Sequence, residues 1–192
     1  MEALKQAIRD MGVVIDTDIV KVDGFLNHRI DTALLFGMGK EIARRFESDR
    51  PELIVTVEAS GIALACAAAH ALGDIPVVFC KKSAARNQSP NFAQTEVYSF
   101  THQRCFIIRA DLRYIPSGSR VLIVDDFLAD GQAVRGMRSL IEQAGAQLIG
   151  VGIGVEKGFQ PGGAALRAEG IKLESLAVVD AIQDGHILCR DD

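Results

Sequence analysis

Residues 121–133 read VLIVDDFLADGQA. An apolar, largely β-branched run comes first, then two adjacent carboxylates, a loop of small residues and the start of a helix. In open α/β sheets ligands sit outside the C-terminal ends of the strands, where Asp125 and Asp126 fall. Ala129, Asp130, Gly131, Gln132 and Ala133 can turn several backbone N–H groups toward one point at a helix N-terminus. A phosphate monoester is the natural guest of such a loop. Asp125 and Asp126 repel that guest, so they need hydroxyls, a cation or developing positive charge as partners, and a ribose supplies the hydroxyls.

The strand–helix–strand pattern around this stretch recurs upstream. LIVTV at 53–57 leads through EASG to an Ala-rich helix, Gly73 and PVVFC at 76–80. The helix after the small-residue loop runs through Ile141, closes at Gly145 and leads to LIGVGIGV at 148–155. Continuous apolar runs bounded by turn residues are the pattern of a parallel sheet buried on both faces, so the expected class is α/β. Gly150, Gly152 and Gly154 imitate a dinucleotide fingerprint but lie inside an apolar strand without the third glycine, and close packing of strand on helix explains them better.

Elsewhere TEVYSF and RCFIIRA predict a pair of strands flanking His102. After a break at Phe159–Gly163, a helix is expected near 164–169 and a last strand near 172–179. The chain opens with a short amphipathic helix carrying Leu4, Ile8 and Met11, with Gly12 as a left-handed stop. Short strands or extended turns are expected within 13–25. A helix capped by Asp31 or Thr32 follows, with Leu34, Leu35, Met38, Ile42 and Phe46 as its apolar stripe.

With 192 residues, 48% hydrophobic and 24% charged, the chain suits one domain. Its 21 basic and 25 acidic residues give a net charge of −4, which argues against a bulk cationic surface for nucleic acid or anionic membrane. The longest apolar stretch, Gly61–Leu72, carries His70 and is too short for a bilayer core needing about 20 residues, so it reads as a buried helix with His70 structural. The N-terminus lacks a secretory apolar run, and a cytoplasmic protein is expected. Cys66, Cys80, Cys105 and Cys189 form no CxxC pair, and His28, His70, His102 and His186 have no zinc-ligand spacing.

The stretch at 121–133 resembles the phosphoribosyl pyrophosphate (PRPP) signature of type I phosphoribosyltransferases. The resemblance spans almost the whole chain, through MEALKQAIRD, KVDGFLNHRID, IVTVEASGIA, VYSFT, QAGA, GVEKGFQPG and ESLA. Within the superfamily it is similar to the bacterial xanthine phosphoribosyltransferases. That resemblance implies one phosphoribosyltransferase domain, a mostly parallel sheet flanked by helices (about 31–160), with a small hood from about residues 1–30 and the chain end over the base. It also implies transfer of the phosphoribosyl group of PRPP to xanthine, giving xanthosine 5′-monophosphate and pyrophosphate, with Mg²⁺ bound mainly through PRPP rather than by assigned protein ligands. A cytoplasmic homodimer in purine salvage is implied as well, binding neither nucleic acid nor membrane.

Residue by residue, the resemblance assigns Asp125 and Asp126 to the ribose hydroxyls and Ala129, Asp130, Gly131, Gln132 and Ala133 to the 5-phosphate. Asp126 is also a candidate proton acceptor. Glu58, Ala59, Ser60 and Gly61 match the loop that meets pyrophosphate, although Ser60 reads equally as a helix N-cap. Val20, Asn27 and Lys157 are assigned to the base, an Asn amide suiting a purine edge and a lysine an oxygen-rich, partly anionic one. Phe159 has two readings, packing on the base or in the core. Two departures from the family stand out: Asp130 replaces the usual Asn, and KKSAARNQSPNF at 81–92 is unlike the usual mobile loop while keeping Lys81, Lys82 and Arg86. That loop is either a cover for pyrophosphate or a basic surface loop. The alternatives are a guanine or hypoxanthine enzyme and a PRPP-sensing regulator without turnover.

Overall fold

The computed structural model describes residues 1–15, 19–82, 91–99 and 104–191. Its centre is a six-stranded sheet built from β3 (Leu53–Val57), β4 (Val77–Cys80), β7 (Arg120–Leu128), β8 (Gln147–Lys157), β9 (Leu173–Gln183) and β10 (His186–Cys189), in the order β10-β9-β8-β7-β3-β4. All neighbours are parallel except β9 and β10. The LIVTV and VLIVD runs are buried throughout, as strands covered on both faces must be.

Alternation along β3 and β7 sorts the core into two layers. Ile54, Leu122 and Val124 face α1 (Glu2–Met11), α2 (Thr32–Phe46) and α3 (Gly61–Ala71). Leu53, Val55, Val121 and Ile123 face α4 (Gln132–Gln143), Leu166 of α5 (Gly162–Ala168) and an antiparallel hairpin of β5 (Phe92–Ser99) and β6 (Arg104–Asp111). The hairpin is the strand pair expected there; His102 lies outside the described residues. Asp31 caps α2, its side chain accepting from Leu34 N at 3.0 Å. The strand glycines pack as expected: a Cβ on Gly150 would lie 2.5 Å from Phe46 Cε1, and one on Gly154 3.1 Å from Met38 Cε.

Three expectations change. Gly12 is extended (φ −67°, ψ 138°) rather than left-handed, and its lack of a side chain serves close approach, since a Cβ would lie 2.3 Å from Ile8 O. The helix read as buried is exposed on one side, where His70 stands and pairs with Asp74 at 2.7 Å. The sheet also continues past residue 179, through Gln183 and back along β10. The segment before α2 forms two three-residue strands, β1 (Val13–Ile15) and β2 (Ile19–Lys21), and a π-helical turn at Asp23–Asn27.

Candidate active site

The strand order fixes where a ligand enters. From β3 the chain crosses through α3 to β4 on one side, and from β7 through α4 to β8 on the other, so β3 and β7 diverge at a topological switch point. Their pairing stops at Val55 and Ile123, whereas β8 accompanies β7 to the Leu128–Glu156 pair. Asp125 and Asp126 therefore lie on strand backbone, beyond the point where the β3–β7 ladder has ended. They are not followed directly by the loop, as the sequence suggested, because β7 runs two residues beyond VLIVDD, to Leu128.

Both carboxylates are buried. Ser60 Oγ donates to Asp126 Oδ1 at 3.0 Å, Asn27 Nδ2 donates to Asp126 Oδ2 at 3.3 Å, and Asp126 N donates to Asp125 Oδ1 at 3.0 Å. Burial foremost, and then the charge of Asp126, push the Asp125 carboxyl well above the usual carboxylate range, against a lowering influence from Lys82. Gly61 makes room here: a Cβ would lie 2.3 Å from Thr56 Oγ1 and 2.4 Å from Asp125 Oδ1. Thr56 Oγ1 itself is buried without a hydrogen-bond partner among the described residues.

Ser60 departs from the N-cap reading. It occupies the position before α3, but its backbone is already helical (φ −67°, ψ −34°) and its hydroxyl makes no cap bond. An N-cap needs extended backbone to turn its oxygen onto the helix amides, so the hydroxyl is directed to Asp126 instead. Glu58 Oε1 accepts from Lys82 N at 2.6 Å, which ties the 58–61 loop to the end of β4. Lys82 Nζ lies 5.4 Å over the Phe106 ring, whereas Lys81 Nζ lies 5.9 Å over Phe79, so the two lysines diverge. Residues 83–90, including Arg86, lie outside the described residues.

The small-residue loop bends where the sequence places it. Gly131 takes φ +81° just before α4, a conformation that favours glycine. Asp130 Oδ1 accepts from Gln132 N at 3.0 Å, so the carboxylate occupies one of the amides available to a phosphate. A cavity of about 150 Å³ lies between loop residues 129–133 and the hairpin side chains Val97, Tyr98 and Phe106. No role was read for Tyr98 from the sequence; VYSFT was the only signal for it.

The residues assigned to the base are spread over three elements. Val20 is buried on β2 and Asn27 closes the π-helical turn, where its amide joins Asp126. Lys157 is the last residue of β8, largely buried and paired with Val179 of β9. Phe159 is 39% exposed, which removes its core reading. Among the described residues no group of three or more His, Cys, Asp or Glu side chains converges on one point, and no helix is long and apolar enough to cross a membrane.

Residues 29–161 match the phosphoribosyl transferase domain family. The chain is 48% identical over 190 residues to a xanthine phosphoribosyltransferase of Clostridioides difficile, covering 99% of this chain and 100% of that protein. It is 46% identical to one from Laribacter hongkongensis, covering 97% and 98%. In fold it is similar to the adenine phosphoribosyltransferase of Thermoanaerobacter pseudethanolicus, with a TM-score of 0.75 at 22% identity over 92% of this chain and 98% of that one. A dyad of carboxylates and an amide-lined loop at the sheet's switch point, together with near-half identity along the full length, place this chain in the phosphoribosyltransferase family, among the xanthine phosphoribosyltransferases.

Proposed function

We propose that this enzyme joins xanthine to the ribose C1′ of PRPP, releasing pyrophosphate and giving xanthosine 5′-monophosphate. The observation that carries the reading is that the β3–β7 ladder ends at Val55 and Ile123, which leaves Asp125 and Asp126 beside the gap past its end, on the strand that runs into the 129–133 loop. In that gap a phosphoribosyl group lies with its phosphate on the loop amides and its hydroxyls on the carboxylates.

Transfer breaks the C1′–O bond to pyrophosphate and forms a bond from C1′ to a base nitrogen, so positive charge grows on the ribosyl carbon and negative charge on the leaving group. Asp126, held in place by Ser60 and Asn27, faces the ribose and offsets the first. Glu58, Ala59, Ser60 and Gly61 present the turn before α3 to the diphosphate, and Lys82 adds a cation at its border. The carboxylates fit a divalent cation, because Asp125, pushed toward protonation by burial and by the Asp126 charge, would be relieved by one. Mg²⁺, carried mainly on the oxygens of PRPP, would neutralise the diphosphate beside these carboxylates.

Val20, Asn27 and Lys157 form the base pocket, the lysine favouring the oxygen-rich purine, under a hood of the N-terminal segment and chain end. Asp126 remains a candidate acceptor for the base proton. The enzyme is read as a cytoplasmic homodimer.

Pyrophosphate release measured with Mg²⁺ and PRPP, offering xanthine, guanine and hypoxanthine separately, tests the reading. Turnover confined to xanthine supports it. Preference for another base keeps the reaction and discards the pocket. No turnover despite PRPP binding, with salt-dependent binding of RNA or DNA, moves the regulator to the front.

A further inference from the structure

Glu156 is a buried acid, 3% exposed, in a position the chemistry above leaves without a task. It is the β8 partner of Leu128, the last residue before the phosphate loop, and it immediately precedes Lys157. Its carboxylate holds three elements. Arg167 of α5 donates to it with both terminal nitrogens, Nη1 to Oε1 and Nη2 to Oε2, each at 2.7 Å, and Ser175 of β9 donates to Oε2 at 2.5 Å. Burial raises the carboxyl's pKa, but these bonds outweigh it and leave the group below its ordinary range.

The packing of α5 shows what this clamp holds in place. A Cβ on Gly163 would lie 2.0 Å from Glu156 Oε1, so the helix backbone is seated directly on the carboxylate. A Cβ on the neighbouring Gly162 would lie 2.3 Å from Ala129 O and 2.6 Å from Gly131 N, and Gly162 N donates to Ala129 O at 3.2 Å. The other end of α5 is tied to the same loop. Arg135 spans from Asp130 O (3.3 Å) to Glu169 (2.6 Å), just past the helix. The loop's amides therefore take their position from α5, and α5 takes its position from Glu156.

We infer that Glu156, through its forked pair with Arg167, is a positioning residue for the 5-phosphate loop, fixing the Ala129–Gly131 backbone from behind without touching substrate. This rests on the reading of 129–133 as the phosphate site. A loop positioned in this way loses phosphate affinity when the clamp loosens, whereas the carboxylates that face the ribose are carried by β7 and keep their places. Loss should therefore fall on PRPP binding, with little on turnover of bound substrate.

The test compares Glu156→Gln with wild type by calorimetric titration of ribose 5-phosphate and by steady-state kinetics. Gln keeps size and one acceptor but gives up the charge. The expected result is a roughly tenfold weaker ribose 5-phosphate Kd and a similar rise in KM for PRPP, with kcat within about threefold and KM for xanthine unchanged. Arg167→Lys, which keeps the charge and loses the fork, should fall between the two, and it carries the test if Glu156→Gln does not fold. Unchanged Kd and KM in a folded variant, or a loss confined to kcat, overturns the inference. If wild type itself does not bind ribose 5-phosphate, the phosphate-site reading fails instead.

Discussion

Ser60 and Asp126 meet across 66 positions of sequence, hydroxyl to carboxylate at 3.0 Å. The contact exists because β3 and β7 are sheet neighbours whose ladder ends before either loop begins, so the residue just before α3 faces the one near the end of β7. Asn27 donates to the other carboxylate oxygen. The loop proposed for the diphosphate and the segment proposed for the base thus share one anchor, and it is the group proposed for the ribose.

Ser60→Ala should accordingly cost more than a lost helix cap, which the structure shows is not formed. A hydrogen bond to a charged acceptor is worth roughly 1.5–3 kcal/mol. The expected fall in kcat/KM is about 10- to 100-fold with the thermal midpoint nearly unchanged. A drop in melting temperature with full activity would return Ser60 to a structural role.

Asp130→Asn should tighten PRPP binding. The amide oxygen of Asn can accept from Gln132 N as the carboxylate does at 3.0 Å, but it brings no negative charge to the phosphate. Two charges about 4 Å apart repel by ~1 kcal/mol even in a water-like dielectric, which corresponds to roughly a fivefold lower KM for PRPP. The advantage should shrink in high salt. A KM unchanged at low salt would place the Asp130 charge outside the field of the bound phosphate.

Much of this architecture is legible in the sequence, and the exceptions have physical causes. Apolar runs such as LIVTV and LIGVGIGV announce strands because both faces are buried, and the glycines of β8 announce helix contact through Phe46 and Met38. The β9–β10 hairpin was missed although its signal is present. Asp184 and Gly185 both take positive φ (51° and 77°) in a two-residue turn between paired Gln183 and His186, and Asp-Gly is a strong hairpin dipeptide. The Glu156–Arg167 pair had no such signal. Eleven positions separate a strand and a helix that only the fold brings together, and a buried acid reads in sequence like any surface one.

Lys157→Met should change which base is used more than how fast turnover proceeds. A lysine at the end of β8, largely buried, is costly to place unless its charge has partners, and an oxygen-rich purine extends that set. The expected loss for xanthine is about 10- to 100-fold in kcat/KM, with hypoxanthine changed severalfold at most. Competition assays with both bases present read the ratio directly. An unchanged ratio would favour the guanine or hypoxanthine reading.

The Asp125 carboxyl should leave its mark on stability. Its folded pKa is raised above the unfolded value of about 3.9, by burial first and the neighbouring Asp126 charge second. A group raised in this way holds its proton more tightly in the folded chain, so the stability it contributes is complete below the unfolded pKa. That contribution is lost as pH rises toward the folded pKa, because the unfolded chain releases the proton first. Asp125→Asn removes the titration while keeping a polar group of the same size. Thermal midpoints of the variant and wild type should therefore coincide near pH 3–4 and diverge as pH rises, the variant becoming the more stable at neutral pH while losing transferase activity. Parallel curves across that range would mean that Asp125 ionises in the folded protein as readily as in the unfolded chain, and that another group supplies the positive field it needs.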